Sequence, residues 1–215
     1  MDGNKRWSKK NKKKPYDGYF IGAKKLISIS SYIFKNHDIN LISAFALSKR
    51  NLERSSTIIN TLRRVLDQFL ENQNDLLNIN FQIIFKGDFS FLNKLTIQKI
   101  NDLQNKNPKC KKKLVIYINY SGKNDIIEAY NKFSSLKSNR KLTDKLIKDH
   151  LYSRNLPDPD ILIRTGGYQR ISDFMLYQIS FTELMFTNKL WPDLLNSDID
   201  KFINKYKKIE RKFGL

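Results

Sequence analysis

Cysteine is almost absent from this chain: Cys110 is the only one in 215 residues, so it has no partner for an intramolecular disulfide and no second thiol for a cysteine metal site. A reducing cytosol suits such a chain. Long apolar runs are absent as well. No stretch approaches the roughly 20 residues that a bilayer crossing needs, and the charged start is not followed by the apolar segment of a secretion signal. The expectation is a soluble, cytoplasmic protein, neither secreted nor membrane-spanning. No internal repeat, no Pro/Gly linker and no second domain stands out. With 40% hydrophobic residues the length suffices for one sizeable core, and residues 1–215 are expected to form a single domain.

Acidic residues are also scarce: 21 Asp and Glu stand against 40 Lys and Arg, a formal net charge of +19. Charge of this sign alone suggests nucleic acid or an anionic membrane surface. Part of the excess follows from nucleotide bias, since abundant Lys, Asn and Ile are what an AT-rich genome encodes. The basic residues cluster at Lys5 to Lys14 and Lys106 to Lys113, both read as solvated loops. Charge by itself does not choose the function.

What is present is an alternation of strand-length apolar runs with amphipathic segments. Ile39 to Leu47, Ile79 to Phe85, Leu114 to Tyr120, Ile161 to Ile163 and Leu184 to Phe186 read as strands. The clearest helix spans Ser56 to Leu76, with Ile58, Ile59, Leu62, Val65, Leu66, Phe69 and Leu70 on one face. Further helices are expected over Tyr19 to Phe34, Phe91 to Leu103, Asp125 to Leu136, Thr143 to Leu151 and Asp198 to Lys212. This order implies an α/β fold with a mostly parallel central sheet, covered by helices on both faces.

The densest chemistry lies in Asp158-Pro159-Asp160-Ile161-Leu162-Ile163-Arg164-Thr165-Gly166-Gly167-Tyr168-Gln169-Arg170-Ile171-Ser172-Asp173-Phe174. A short strand ends in Arg164, at the carboxyl edge where open α/β sheets bind ligands. Gly166 and Gly167 let backbone approach a ligand, and Ser172 is expected to open the next helix with a hydroxyl and free amides. Two arbitrary arginines would be read as surface partners of Asp158, Asp160 or Asp173. Here strand end, double glycine, arginines and helix cap follow the order a phosphate site needs, and arginine's planar fork suits a diphosphate. At the other end, Asp2 is a candidate Mg²⁺ ligand, because Mg²⁺ takes one or two carboxylates plus substrate phosphate oxygens. Gly3 frees the amides after it, and Arg6 adds a charge-assisted contact.

This C-terminal run, continued by Phe181-Thr182-Glu183-Leu184 and Leu190-Trp191-Pro192-Asp193, closely resembles the signature of the cis-prenyltransferases, the family of undecaprenyl diphosphate synthase. Met1-Asp2-Gly3-Asn4-Lys5-Arg6-Trp7 resembles the same family's N-terminal catalytic loop. The resemblance implies Mg²⁺ on Asp2, an allylic diphosphate such as farnesyl diphosphate on Asp2, Gly3, Asn4, Lys5, Arg6 and Trp7, and isopentenyl diphosphate on Arg164, Arg170 and Ser172. Glu183 resembles the family's second carboxylate near the metal, acting from or across a dimer interface. A homodimer, an apolar tunnel lined by the helices at Tyr19 to Phe34 and Ser56 to Leu76, and peripheral contact with the inner face of a membrane are implied too. Nucleic acid is not an expected partner.

The middle matches more loosely. Gly18-Tyr19-Phe20-Ile21-Gly22 resembles a glycine-histidine-x-x-glycine segment with Tyr19 in place of histidine. Ala46-Leu47-Ser48-Lys49-Arg50-Asn51-Leu52-Glu53-Arg54 keeps Ser48, Asn51 and Arg54 of a family motif, while Arg50 replaces glutamate and Leu52 tryptophan. Asn119-Tyr120-Ser121-Gly122-Lys123 replaces a double glycine and arginine. By resemblance, Asn51 and Ser48 position groups for proton transfer, and Tyr19, Leu52 and Arg54 border the allylic substrate. The family's counterpart of Asp2 ends the first sheet strand, so either a strand precedes Met1 or the sheet lacks a central strand. The substitutions keep open a second reading, a degenerate homologue serving as partner subunit.

Overall fold

The computed structural model describes residues 1–52, 56–71, 76, 79–136 and 141–210. Its elements run α1 (Asn4–Lys10), α2 (Pro15–Asn36), β1 (Leu41–Phe45), α3 (Lys49–Leu52), α4 (Ser56–Glu71), β2 (Gln82–Gly87), α5 (Lys94–Gln104), β3 (Lys113–Ile118), α6 (Gly122–Ser135), α7 (Asp144–Lys148), β4 (Ile161–Arg164), β5 (Glu183–Phe186), a 3-10 turn (Trp191–Asp193) and α8 (Asn196–Tyr206). The α/β class and its parallel sheet are as the alternation implied. Each expected strand is found within a few residues. β1 is shorter than the apolar run because the amides of Ala46 and Leu47 both turn onto the Tyr117 carbonyl, at 3.0 and 3.2 Å.

The strands form two parallel sheets, ordered β1-β3-β2 and β4-β5. β3 is the middle strand of the first, and its side chains Leu114, Val115 and Tyr117 have no exposed surface. That is why its sequence is continuously apolar: a parallel strand covered on both faces has no solvent side. Leu162 packs with Leu41 and Phe45 on one face, while Ile163 packs with Ile42 and Ala44 on the other. Alternate residues of β4 thus feed the same two layers as alternate residues of β1, yet no ladder joins the two strands. Among the described residues the two sheets are therefore separate ladders that share the same two layers.

Helices cover the layers through local signals. Pro15 opens α2, where its fixed φ suits the first turn, and the Asp17 carboxylate accepts from the Lys14 amide at 3.0 Å. Asn93 and Ser121 cap α5 and α6 by accepting from Thr96 and Asn124 amides at 2.8 and 3.2 Å, the usual side-chain capping of first-turn donors. Two expectations fail. No helix starts at Ser172: positive φ at Ser172, Asp173 and Met175 winds that segment into turns. The nearby helix start belongs to α6 and is already occupied: its Gly122 and Lys123 amides donate to the Asp173 carbonyl and carboxylate at 2.8 and 3.0 Å. α1 was not expected; the basic N-terminus read as loop folds into helix because it packs on α2. The close approach needs Gly18 and Gly22, where an added Cβ would lie 2.2 Å from Ser8 Oγ and 2.4 Å from Asn4 Oδ1 respectively.

Candidate active site

Asp2 sits beyond the carboxyl end of β4, held there by backbone. Its amide donates to Thr165 Oγ1 at 3.0 Å. Its carbonyl accepts from the same hydroxyl at 2.9 Å and from the Trp191 amide at 3.0 Å. Thr165 is 2% exposed, so this double bond is shielded from water and fixes the aspartate before any ligand arrives. The sequence reading missed Thr165, although its place between Arg164 and Gly166 was a signal.

The carboxylate so positioned is gripped from two sides. Arg164 Nη2 donates to one oxygen at 3.0 Å and Arg6 Nη2 to the other at 3.3 Å. Burial pushes the Asp2 carboxyl up, but the Arg164 hydrogen bond and the charges of Arg6 and Arg164 outweigh it and hold the group below its ordinary value. Arg164 also donates through Nη1 to Ser172 Oγ at 2.6 Å and to the Arg170 carbonyl. Gly166 makes room for this assembly: it has φ +87, and a Cβ there would lie 2.5 Å from Arg6 Nη2. Asp2, Arg6, Arg164, Arg170 and Ser172, taken from both ends of the chain, are thus brought to one place.

Other expected residues play different parts. Trp7 Nε1 donates to the Asp193 carboxylate at 2.6 Å, so Trp7 and the Trp191-Pro192-Asp193 run brace each other. Lys5 is exposed on α1. Asn4 bonds the Met1 carbonyl at 3.4 Å, and its Oδ1 is buried against Gly22 with no hydrogen-bond partner. Ser48 forms a bridge with Tyr120, and the Asn51 amide donates to the Ser48 carbonyl at 2.9 Å, which turns α3 at the carboxyl edge of β1. Leu52 packs against the core. Arg54 lies outside the described residues. Glu183 pairs with Ile161 at the amino end of the β4-β5 ladder, whereas Arg164 pairs with Phe186 at the carboxyl end. Three strand steps, about 10 Å, therefore separate it from Asp2 along the ladder.

Beside the charged cluster opens an apolar cavity with about 730 Å³ of empty volume, part of it continuous with solvent. Met1, Asn4 and Trp191 line it on the side of the cluster; Tyr19, Leu26, Leu47, Leu62, Phe69 and Phe91 are among the residues that continue the wall. It lies between α2, α4 and the sheet, where the tunnel was expected. Among the described residues no group of three or more His, Cys, Asp or Glu could hold a metal, and no helix is long and apolar enough to cross a membrane.

A family model described as "Putative undecaprenyl diphosphate synthase" matches residues 1–214. The chain belongs to this family of cis-prenyltransferases. It is 35% identical to the farnesyl-diphosphate-specific ditrans,polycis-undecaprenyl-diphosphate synthase of Coxiella burnetii, over all of this chain and 93% of that protein. It is 36% identical to the chloroplastic nerylneryl diphosphate synthase of Solanum lycopersicum, over all of this chain and 68% of that protein. Among solved structures, lavandulyl diphosphate synthase from Lavandula x intermedia, in complex with dimethylallyl diphosphate, matches with a TM-score of 0.89 at 29% identity, covering all of this chain and 95% of the other. A probable undecaprenyl diphosphate synthase from Campylobacter jejuni gives a TM-score of 0.75 at 27% identity, covering 91% and 92%. This cis-prenyltransferase thus shares its fold with enzymes whose names carry different prenyl chains.

Proposed function

We propose that this cis-prenyltransferase condenses isopentenyl diphosphate with an allylic diphosphate, farnesyl diphosphate being the expected primer, to a polyprenyl diphosphate such as undecaprenyl diphosphate. The observation that carries the reading is adjacency: a cluster of three arginines and Asp2 borders an apolar cavity through Met1 and Asn4. A prenyl diphosphate is an amphiphile of that shape, with a dianionic or trianionic head and a hydrocarbon tail. Arg164, Arg170 and Ser172 would hold isopentenyl diphosphate, and Arg6 with the residues around Gly3 the allylic head. Asn51 and Ser48, turned to the carboxyl edge of β1, would stand near the proton transfer that creates the new double bond.

Asp2 fits Mg²⁺ as a single-carboxylate site completed by substrate oxygens, since its side chain is 36% exposed and the present partners of its carboxylate are arginine side chains that a diphosphate can claim. When bound, the metal neutralises charge on the departing diphosphate. The chain's own part is to hold that head group by Arg6 and to keep water from the tail with the apolar wall. Glu183, far from Asp2 along the ladder, would reach a metal only across a homodimer. Phe181 and Leu184, 65% and 45% exposed beside it, are the apolar surface such a homodimer would cover. The basic run Lys5 to Lys14 would make peripheral contact with anionic lipid at the cytoplasmic face of a membrane.

Incorporation of radiolabelled isopentenyl diphosphate into extractable lipid, with Mg²⁺ and farnesyl diphosphate, tests the reading. Label in long-chain product is expected. Absence of product with every allylic primer tried would return the degenerate-homologue reading.

A further inference from the structure

Tyr168 takes part in none of the roles assigned so far, yet three cations meet on its ring. The guanidinium carbons of Arg170, Arg6 and Arg164 stand 4.2, 5.0 and 5.7 Å from its centroid. They arrive from three places: the turn after the double glycine, helix α1 and the end of β4. Guanidinia held this close repel one another, and Asp2 offsets that repulsion only for Arg6 and Arg164. If Asp2 turns to a metal, it releases both. The ring's negative face remains, and a cation within about 6 Å of such a face is attracted to it without being consumed by an ion pair.

The three arginines do not depend on the ring equally. Arg164 is anchored independently, with its side chain only 12% exposed and bonded to Ser172 and the Arg170 carbonyl. The Arg6 side chain is 45% exposed, and Arg170 is exposed on its turn. Long exposed arginines lose rotamer freedom when they bind an anion, at a cost that pre-positioning removes. We propose that Tyr168 is a positioning residue, whose ring gathers Arg6 and Arg170 around the anchored Arg164 into one diphosphate-reading cage. The phenol hydroxyl has no part in this. The inference rests on the proposed function for the identity of the anion, but not for the existence of the cage.

The test is calorimetric binding of inorganic pyrophosphate, without Mg²⁺, to the full chain and to Tyr168→Phe, Tyr168→Trp and Tyr168→Leu, each checked for unchanged melting. One exposed cation–π contact is worth a factor of about 2 to 5 in an equilibrium constant, so Tyr168→Leu is expected to bind at least about fivefold more weakly. Phe and Trp are expected to stay within about twofold of the parent. In turnover, Tyr168→Leu is expected to raise KM for isopentenyl diphosphate while leaving kcat within about twofold, because the ring touches no reacting atom. Pyrophosphate binding undiminished in Tyr168→Leu, or weakened as much in Tyr168→Phe, overturns the proposal. Should Tyr168→Leu fail to fold, Tyr168→Phe and Tyr168→Trp decide it: a loss of affinity beyond about twofold in either removes the ring from this role. A parent protein that binds pyrophosphate through the ring yet incorporates no isopentenyl unit would leave the cage standing and sink the proposed function. Incorporation by a chain indifferent to Tyr168→Leu would do the reverse.

Discussion

The charged cluster and the apolar cavity lie side by side and are built on opposite rules. The cluster consists of a few side chains whose individual atoms matter: Thr165 fixes Asp2 through two bonds, and Arg164 reaches Asp2, Ser172 and Arg170 with a single fork. The cavity is a wall of aliphatic and aromatic groups in which shape and volume matter and no one atom does. Directional, charge-assisted bonds lose strength steeply with misplacement, whereas packing tolerates exchanges that conserve volume. Under the proposed function, the cluster would read head groups and the cavity would be the more forgiving container for tails.

The comparison is broken most severely at Asp2. Asp2→Ala is expected to lower kcat/KM by about 10³ or more, equivalent to about 4 kcal/mol of transition-state stabilisation, with the melting temperature little changed; steady-state kinetics at saturating Mg²⁺ measures it. Asp125 tests the scaffold in place of the reader. It is 2% exposed, and its carboxylate accepts from the Tyr120 hydroxyl and the Tyr152 amide, both at 2.9 Å. Asp125→Ala would leave both donors buried without partners, at a cost of about 2 to 4 kcal/mol, read by urea denaturation. Arg164→Lys is expected to raise KM for isopentenyl diphosphate about 10- to 100-fold, because an ammonium cannot bridge Asp2 and Ser172 as the fork does.

Smaller effects sharpen the contrast. Val65→Ile in the cavity wall adds one methylene to an apolar surface and is expected to change kcat/KM by less than about threefold, with any effect appearing in product length on thin-layer separation. A reader-sized loss there would erase the distinction. The smallest effect is the pH dependence of stability from Asp2. Its folded carboxyl lies below the ordinary 3.8, so the unfolded chain binds more protons in that window. The contribution of its ion pairs is therefore complete above about pH 4 and is lost as pH falls through the lowered folded value. Asp2→Asn is expected to flatten that part of the acid limb in urea titrations, modestly, because Arg6 is well exposed and solvent screens its pair.

Much of the fold was legible because burial leaves a periodic trace. The apolar run of β3 announces a strand hidden on both faces, and Leu62, Val65, Leu66, Phe69 and Leu70 announce the buried side of α4 by their spacing. Boundaries were less legible. The Ala46 and Leu47 amides end β1 by turning onto Tyr117, a contact between segments about 70 residues apart that no local pattern encodes. Ser172 misled for a related reason: a serine before a hydrophobic run looks like a helix cap, but the segment's left-handed residues and the capture of Asp173 by α6 decide otherwise.

The sequence by itself determined the α/β alternation, the basic surplus, the candidate anion-binding side chains and the family to which they point, because residue type and spacing carry charge, periodicity and backbone freedom directly. Only the tertiary structure decided that Thr165 would clamp Asp2 across 163 residues, that Trp7 would brace Asp193, that the sheet would part between β1 and β4, and that three arginines would share the ring of Tyr168. The physical reason is that such meetings depend on how helices and strands stack. Stacking follows from the packing of the whole core, whereas a sequence records only which residues each element has to offer.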